Sequence, residues 1–223
     1  PEEYIINDNM LIFPPEEKEK VQVVKGPNLK SIPINSRLED SIKMHVIIKL
    51  GDNITTDDIM PAGSKVLPLR SNIPAISQFV FSGIDKNFAE RAKKTGPSII
   101  VGRENYGQGS SREHAAMAPM YLGVKAVIAI SIARIHRKNL INYGILPLIF
   151  CDKNDYDKLK TGSTIQISGL RKIKAGKNNL ILSVSEGSVD FTIRALLEIT
   201  DFEKSILEHG GFLPYIKNKI AEG

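Results

Sequence analysis

Tryptophan is absent, tyrosine and phenylalanine bring the aromatic content to only 6%, and the 223 residues carry a single cysteine and four histidines. So few aromatics offer little base-stacking surface, and no RNP-type, zinc-finger or KH-type signature accompanies the lysines, which argues against a nucleic-acid partner. Cys151 alone excludes an internal disulfide and cannot by itself hold a zinc or iron–sulfur centre, each of which needs several protein ligands. The histidines His45, His114, His136 and His209 are scattered without ligand spacing, so no metal site is predicted within this chain. Such sparing use of cysteine suits a reducing compartment. No apolar run approaches the roughly 18 residues of a membrane helix, so no membrane partner is expected. The opening PEEYIIND lacks the basic and then apolar pattern of a secretory signal. A chain that opens on Pro1 reads as an internal piece or a processed product.

What is present is ordinary for a globular protein: 42% hydrophobic and 25% charged residues, enough apolar content to build a core. A net charge of +5 leaves a nucleic acid, a membrane surface or a small anionic substrate open on charge alone. Residues 1–44 carry Pro14, Pro15, Pro27 and Pro33 around a charged run from Glu16 to Lys20, and read as an extended arm. Its apolar clusters, Leu11 to Phe13 and Val21 to Val24, are expected to lie against a surface of this domain or of a neighbour. From His45 onward the pattern is α/β. Strands are predicted at 46–50, 98–102, 126–130, 145–150, 164–167, 180–184 and 189–193, with helices at 76–81, 87–94, 111–122, 132–142 and 194–209. The alternation across 98–150 predicts a mostly parallel central sheet flanked by helices, with ligands collecting at the carboxyl ends of its strands.

The stretch from Gly102 to His114, GRENYGQGSSREH, is the most chemical in the chain. Glycines and serines between a buried strand and a helix start expose backbone N–H groups that attract phosphate or carboxylate, and Arg112 adds a bidentate fork. Ser110 and Ser111 suit a cap, a ligand or an acid/base role. The alternative is that Ser111 merely caps the helix with Glu113 or His114, and that Gly107 and Gly109 serve only the bend. Spacing leaves both open. It does exclude a P-loop, a dinucleotide fingerprint and a nucleophile elbow, since the required Lys, third glycine and Gly-x-Ser-x-Gly order are missing. Cys151 reads as a buried hydrophobe, and the basic run Arg171 to Lys177 as a solvated hairpin tip.

Two blocks resemble the swivel domain of the aconitase family. One is DNITTDDIMPAG, Asp52 to Gly63, running into LPLRSNIPAIS, Leu67 to Ser77. The other is GQGSSREHAA, Gly107 to Ala116, continuing through LGVKA, IARIH and GILP, ending at Pro147. The resemblance implies a swivelling β/β/α domain spanning residues 45–223. It implies a complete enzyme that is a hydro-lyase, isomerising citrate and isocitrate through cis-aconitate on a four-iron–four-sulfur cluster. That cluster would be held by cysteines outside this chain, so the partner would be the cluster-bearing N-terminal domains, joined through the 1–44 arm, and this chain alone would be inactive. Ser110 resembles the base that takes the substrate proton, Ser111, Arg112 and Arg70 resemble the carboxylate-binding residues, and Asp57 the active-site aspartate. Arg134 and His136, inside the matched blocks, read as packing and surface residues. Where many members have Thr-Thr-Asp-His this chain has Thr55-Thr56-Asp57-Asp58, an added negative charge that either weakens anion binding or points away. The LPLR block resembles a bacterial branch, so a bacterial cytoplasm is the expected location. Two other readings stand beside this one: the small subunit of isopropylmalate isomerase or homoaconitase, against which Arg70 argues, and a non-catalytic RNA-binding relative.

Overall fold

The computed structural model describes residues 4, 7–17, 20–22 and 24–222. Parts of the charged run at 16–20, of the 21–24 cluster and of the opening PEEYIIND lie outside the described residues. Seven strands close into one barrel in the order β1-β2-β3-β4-β7-β6-β5. β1 (Ser41–Lys49), β2 (Ser98–Val101), β3 (Val124–Ala129) and β4 (Leu146–Phe150) run parallel. β5 (Thr164–Ser168), β6 (Gly176–Glu186) and β7 (Val189–Ile199) pair antiparallel with one another and close the barrel against β1 and β4. The predicted mostly parallel sheet flanked by helices is thus corrected to a mixed α/β closed barrel. The parallel part needed helical crossovers, whereas β6 and β7 are joined by a tight hairpin with Gly187 at φ +62°, which forces antiparallel pairing.

Burial follows this division. In β2 every residue is buried, because one face lines the barrel interior and the other is covered by helices. Ile99 and Val101 join Ala126, Ile128, Leu146, Leu148, Ile165 and Leu182 inside. Ile100, Val127 and Ala129 turn outward onto a second layer, made with α1 (Thr56–Ile59), α2 (Ile73–Ile76), α3 (Phe88–Thr95) and α4 (His114–Tyr121). α5 (Arg134–Asn142) packs on α4 and β4 and also meets α7 (Asp201–Glu208) and α8 (Phe212–Glu222), while α6 (Asp155–Lys158) follows β4. No helix among the described residues is long and apolar enough to cross a membrane.

Two helices predicted from propensity are corrected. Residues 194–199 extend β7, since Ile193, Ala195, Leu197 and Ile199 are buried with period two and pair along β6; the helix starts only after Thr200, whose hydroxyl accepts the Glu203 N–H in a capping box. The helix expected at 76–81 lies earlier, at 73–76, started by the Asn72 side chain accepting the Ala75 N–H and followed by a 3-10 turn at 77–79. Cys151, expected to be buried, is exposed just beyond the end of β4.

Within the arm, Leu11, Ile12 and Phe13 are 63%, 97% and 73% exposed, whereas its last part is fastened to the barrel. Lys30 N–H donates to the Ser71 carbonyl at 3.0 Å. The Asn35 side chain accepts from Lys125 Nζ at 2.6 Å and donates to the Tyr143 and Gly144 carbonyls. Burial pulls the Lys125 ammonium below its usual range, with Glu39 partly opposing.

Candidate functional site

Chains leaving the carboxyl ends of β1, β2 and β3 meet at one end of the barrel. The β1 loop and the Gly-rich β2 loop zip together through their backbones: Asn53 N–H donates to Glu104, Gly107 N–H to Ile54 at 2.7 Å and Thr56 N–H to Gln108 at 2.8 Å. Asp52 adds a clamp, accepting from Glu104 N–H at 2.9 Å and from Arg103 at 3.0 Å. The β3 loop holds the other side, with Tyr106 N–H donating to Ser131 and Ala133 N–H to Tyr106.

Below the loop lies a buried pair. The Tyr106 and His136 rings stand 5.4 Å apart, and the imidazole fills the space that a Cβ on Gly107, at φ +80°, would need. Burial pushes the Tyr106 phenol up and the His136 imidazole down to about 4. Neither ring nitrogen of His136 finds a partner among the described residues, so it is a neutral packing residue there. Gly109, at φ +108°, leaves room for Thr56, whose hydroxyl donates to the Ser110 carbonyl at 3.1 Å.

These contacts carry the chain out to Ser110 and Ser111, both exposed, with no hydroxyl partner among the described residues. Ser111 does not cap the helix. The N-cap of α4 is Glu113, already in helical conformation and with no side-chain bond, so the expected 111–122 helix begins only at His114. The N–H groups of Ser111, Arg112, Glu113 and His114 consequently have no acceptor among the described residues, and they point a set of donors and a partial positive charge at the serine loop.

Arg112 and Asp57 are brought together directly. Arg112 Nη1 donates to the Asp57 carboxylate and, at 3.3 Å, to the Met60 carbonyl, which fixes a quarter-exposed guanidinium beside the loop. Asp58 faces elsewhere: its carboxylate accepts the Thr55 N–H at 2.8 Å and hydroxyl at 2.6 Å, closing the capping box of α1. The extra charge is therefore absorbed by the helix start. Arg70 is exposed at the end of a 3-10 turn over Leu67–Leu69. Its side chain makes no ion pair among the described residues, but its carbonyl accepts from His114 Nε2 at 2.8 Å, which brings its turn to the foot of α4. Thr56 and His114 were missed as contributors by sequence reasoning. Both lay inside the matched blocks, yet only the fold places them against Ser110 and Arg70.

A family model described as the aconitase C-terminal domain matches residues 83–153. The isopropylmalate/citramalate isomerase small subunit of Methanocaldococcus jannaschii is 38% identical over 176 residues, covering 78% of this chain and 93% of that protein. This chain belongs to the aconitase/isopropylmalate isomerase superfamily. Within that superfamily it is similar to the probable mitochondrial aconitate hydratase of Dictyostelium discoideum, 36% identical over 207 residues, 82% of this chain but 27% of that protein. The chain thus spans between about a quarter and a third of the length of these aconitate hydratases. Among solved structures, the 3-isopropylmalate dehydratase of Methanocaldococcus jannaschii superposes with a TM-score of 0.64 at 32% identity, over 82% of this chain and 96% of that one. The superfamily is one of hydro-lyases, and residues 83–153 are the part that matches its aconitase C-terminal domain. These relatives come from a slime mould and an archaeon, and do not single out a bacterial source.

Proposed function

We propose that this chain is the swivel domain of an aconitate hydratase, presenting Ser110, Ser111, Arg112, Asp57 and Arg70 to citrate or isocitrate from an open face. The observation that carries this reading is the union of two cationic elements at one barrel end: the Arg112 loop, set by Asp57, and the Arg70 turn, tied to it through His114. A tricarboxylate needs that many partners, because a desolvated carboxylate is costly without them. Ser110 takes the proton from the substrate carbon. An unaided serine is a poor base, and the free N–H groups of residues 111–114 together with Arg112 favour its alkoxide. Ser111 and Arg112 bind one substrate carboxylate, Arg70 another, and Asp57 keeps Arg112 in place.

The four-iron–four-sulfur cluster that the superfamily resemblance implies has no seat here. Among the described residues no three His, Cys, Asp or Glu side chains gather, and Cys151 offers one exposed thiol. Cluster and remaining substrate contacts belong to N-terminal domains, with the arm before β1 as the linker and the barrel with its helices as the swivel body, and the isolated chain is inactive. A second reading has specific support: near-complete coverage of the small subunit from Methanocaldococcus jannaschii fits a separately encoded isopropylmalate isomerase subunit equally well. Arg70 separates the two, since an apolar group replaces one carboxylate partner in isopropylmalate.

The test mixes this chain anaerobically with the cluster-bearing part, and follows cis-aconitate absorbance with citrate and the corresponding dehydrated product with isopropylmalate. Turnover of citrate, only in the mixture and abolished by Ser110→Ala with the cluster intact, is the expected result. Turnover of isopropylmalate instead moves the assignment to the second reading, and unchanged turnover in Ser110→Ala overturns the mechanism.

A further inference from the structure

Residues 61–72 form a long excursion between α1 and α2, and Arg70 stands near its end on the surface. Just before this excursion the Met60 carbonyl accepts from Arg112 Nη1 at 3.3 Å, and near its far end the Arg70 carbonyl accepts from His114 Nε2 at 2.8 Å; among the described residues these two hydrogen bonds tie it to residues 102–114. A carbonyl only accepts, so Nε2 carries the proton. His114 is the first residue of α4, two positions after Arg112, and its ring therefore reports the position of the serine loop to the Arg70 turn. From the other side the arm adds its own hold, with Lys30 N–H donating to the Ser71 carbonyl at 3.0 Å, and residues 26–29 line one groove with Leu67, Pro68 and Arg70.

We propose that His114 is a positioning residue that pins the Arg70 turn to the start of α4, so that Arg70 and the Ser110–Arg112 loop meet one substrate as a single preorganised unit. The inference rests on Arg70 binding a substrate carboxylate. An arginine whose turn is not pinned must be ordered at the moment of binding, and that cost falls on substrate affinity more than on the proton transfer at Ser110.

The experiment uses the chain assembled with its cluster-bearing part and compares His114→Gln with His114→Met. Both side chains are unbranched with similar reach, but only glutamine keeps an N–H donor at its end. His114→Met raises KM for citrate roughly five- to tenfold, the range of one neutral hydrogen bond, while kcat stays within about twofold and the thermal midpoint matches that of His114→Gln. His114→Gln recovers most of the wild-type KM. In an Arg70→Ala background, which by itself raises KM, His114→Met adds less than about twofold. Equal KM values for the Gln and Met variants, or a full multiplicative effect in the Arg70→Ala background, overturn the role of His114 and leave the functional reading standing. If Arg70→Ala does not raise KM, the assignment of Arg70 falls, and this inference with it.

Discussion

Gly107 combines two constraints whose costs can be separated. Its φ of +80° is left-handed, and a Cβ built there would overlap the imidazole of His136, with His136 Cβ itself 2.7 Å away. The ring cannot step aside, because it is buried against Tyr106. Gly107→Ala therefore adds a left-handed penalty of about 1–2 kcal/mol to an overpacking cost of about 1–3 kcal/mol. Urea unfolding of the chain, followed by far-UV circular dichroism, should register a loss of roughly 2–5 kcal/mol as a lower midpoint at unchanged slope. The same substitution made on His136→Ala sheds the overlap with the ring but keeps the backbone part and the close approach to Cβ, so a double-mutant cycle should give a coupling of about 1 kcal/mol. A Gly107→Ala protein within about 0.5 kcal/mol of wild type, or a cycle without coupling, would refute the account of the loop as wedged on His136.

His136 also makes stability depend on pH. Its imidazole is held at about 4 when folded, against 6.5 unfolded, so the unfolded chain binds the extra proton first; stability is intact above pH 6.5 and is lost as pH falls from there to about 4, by around 3 kcal/mol in all. His136→Phe should flatten that slope in unfolding midpoints taken between pH 7 and 4, and an unchanged slope counts against the burial argument. Thr56→Val removes the donor to the Ser110 carbonyl and should cost about 1 kcal/mol of stability and roughly tenfold in turnover of the assembled enzyme; stability lost with full turnover would make Thr56 purely structural. Asp58→Ala opens the capping box and should lower the chain's thermal midpoint by a few degrees, for a loss of about 1 kcal/mol, while leaving KM for citrate unchanged. A clear fall in KM would show that Asp58 does face the anion.

Much of the site's vocabulary was legible along the chain. GQGSSRE announced a loop with free donors because glycine permits its positive φ values, and Ser110, Ser111 and Arg112 follow it directly. The buried strands β2 to β4 were equally plain from short apolar runs. Residues 194–199 were not: RALLEI contains good helix formers, and only its pairing with β6 makes a strand of it. Barrel closure was hidden too, since the partners Ser41 and Ser168 stand 127 positions apart and local pattern carries no record of register.

The amino-acid sequence by itself determined the local chemistry of this domain: which loop exposes donors, which residues carry charge and hydroxyl, where glycine must sit, and, through its two matched blocks, the superfamily. Tertiary structure alone decided how those residues act on one another. Arg112 meets Asp57 across 55 positions, Thr56 meets the Ser110 carbonyl across 54 and His114 meets Arg70 across 44. Each of these contacts exists because parallel strands deliver their following loops to the same end of the barrel, a consequence of chain direction and pairing that no local window of sequence contains.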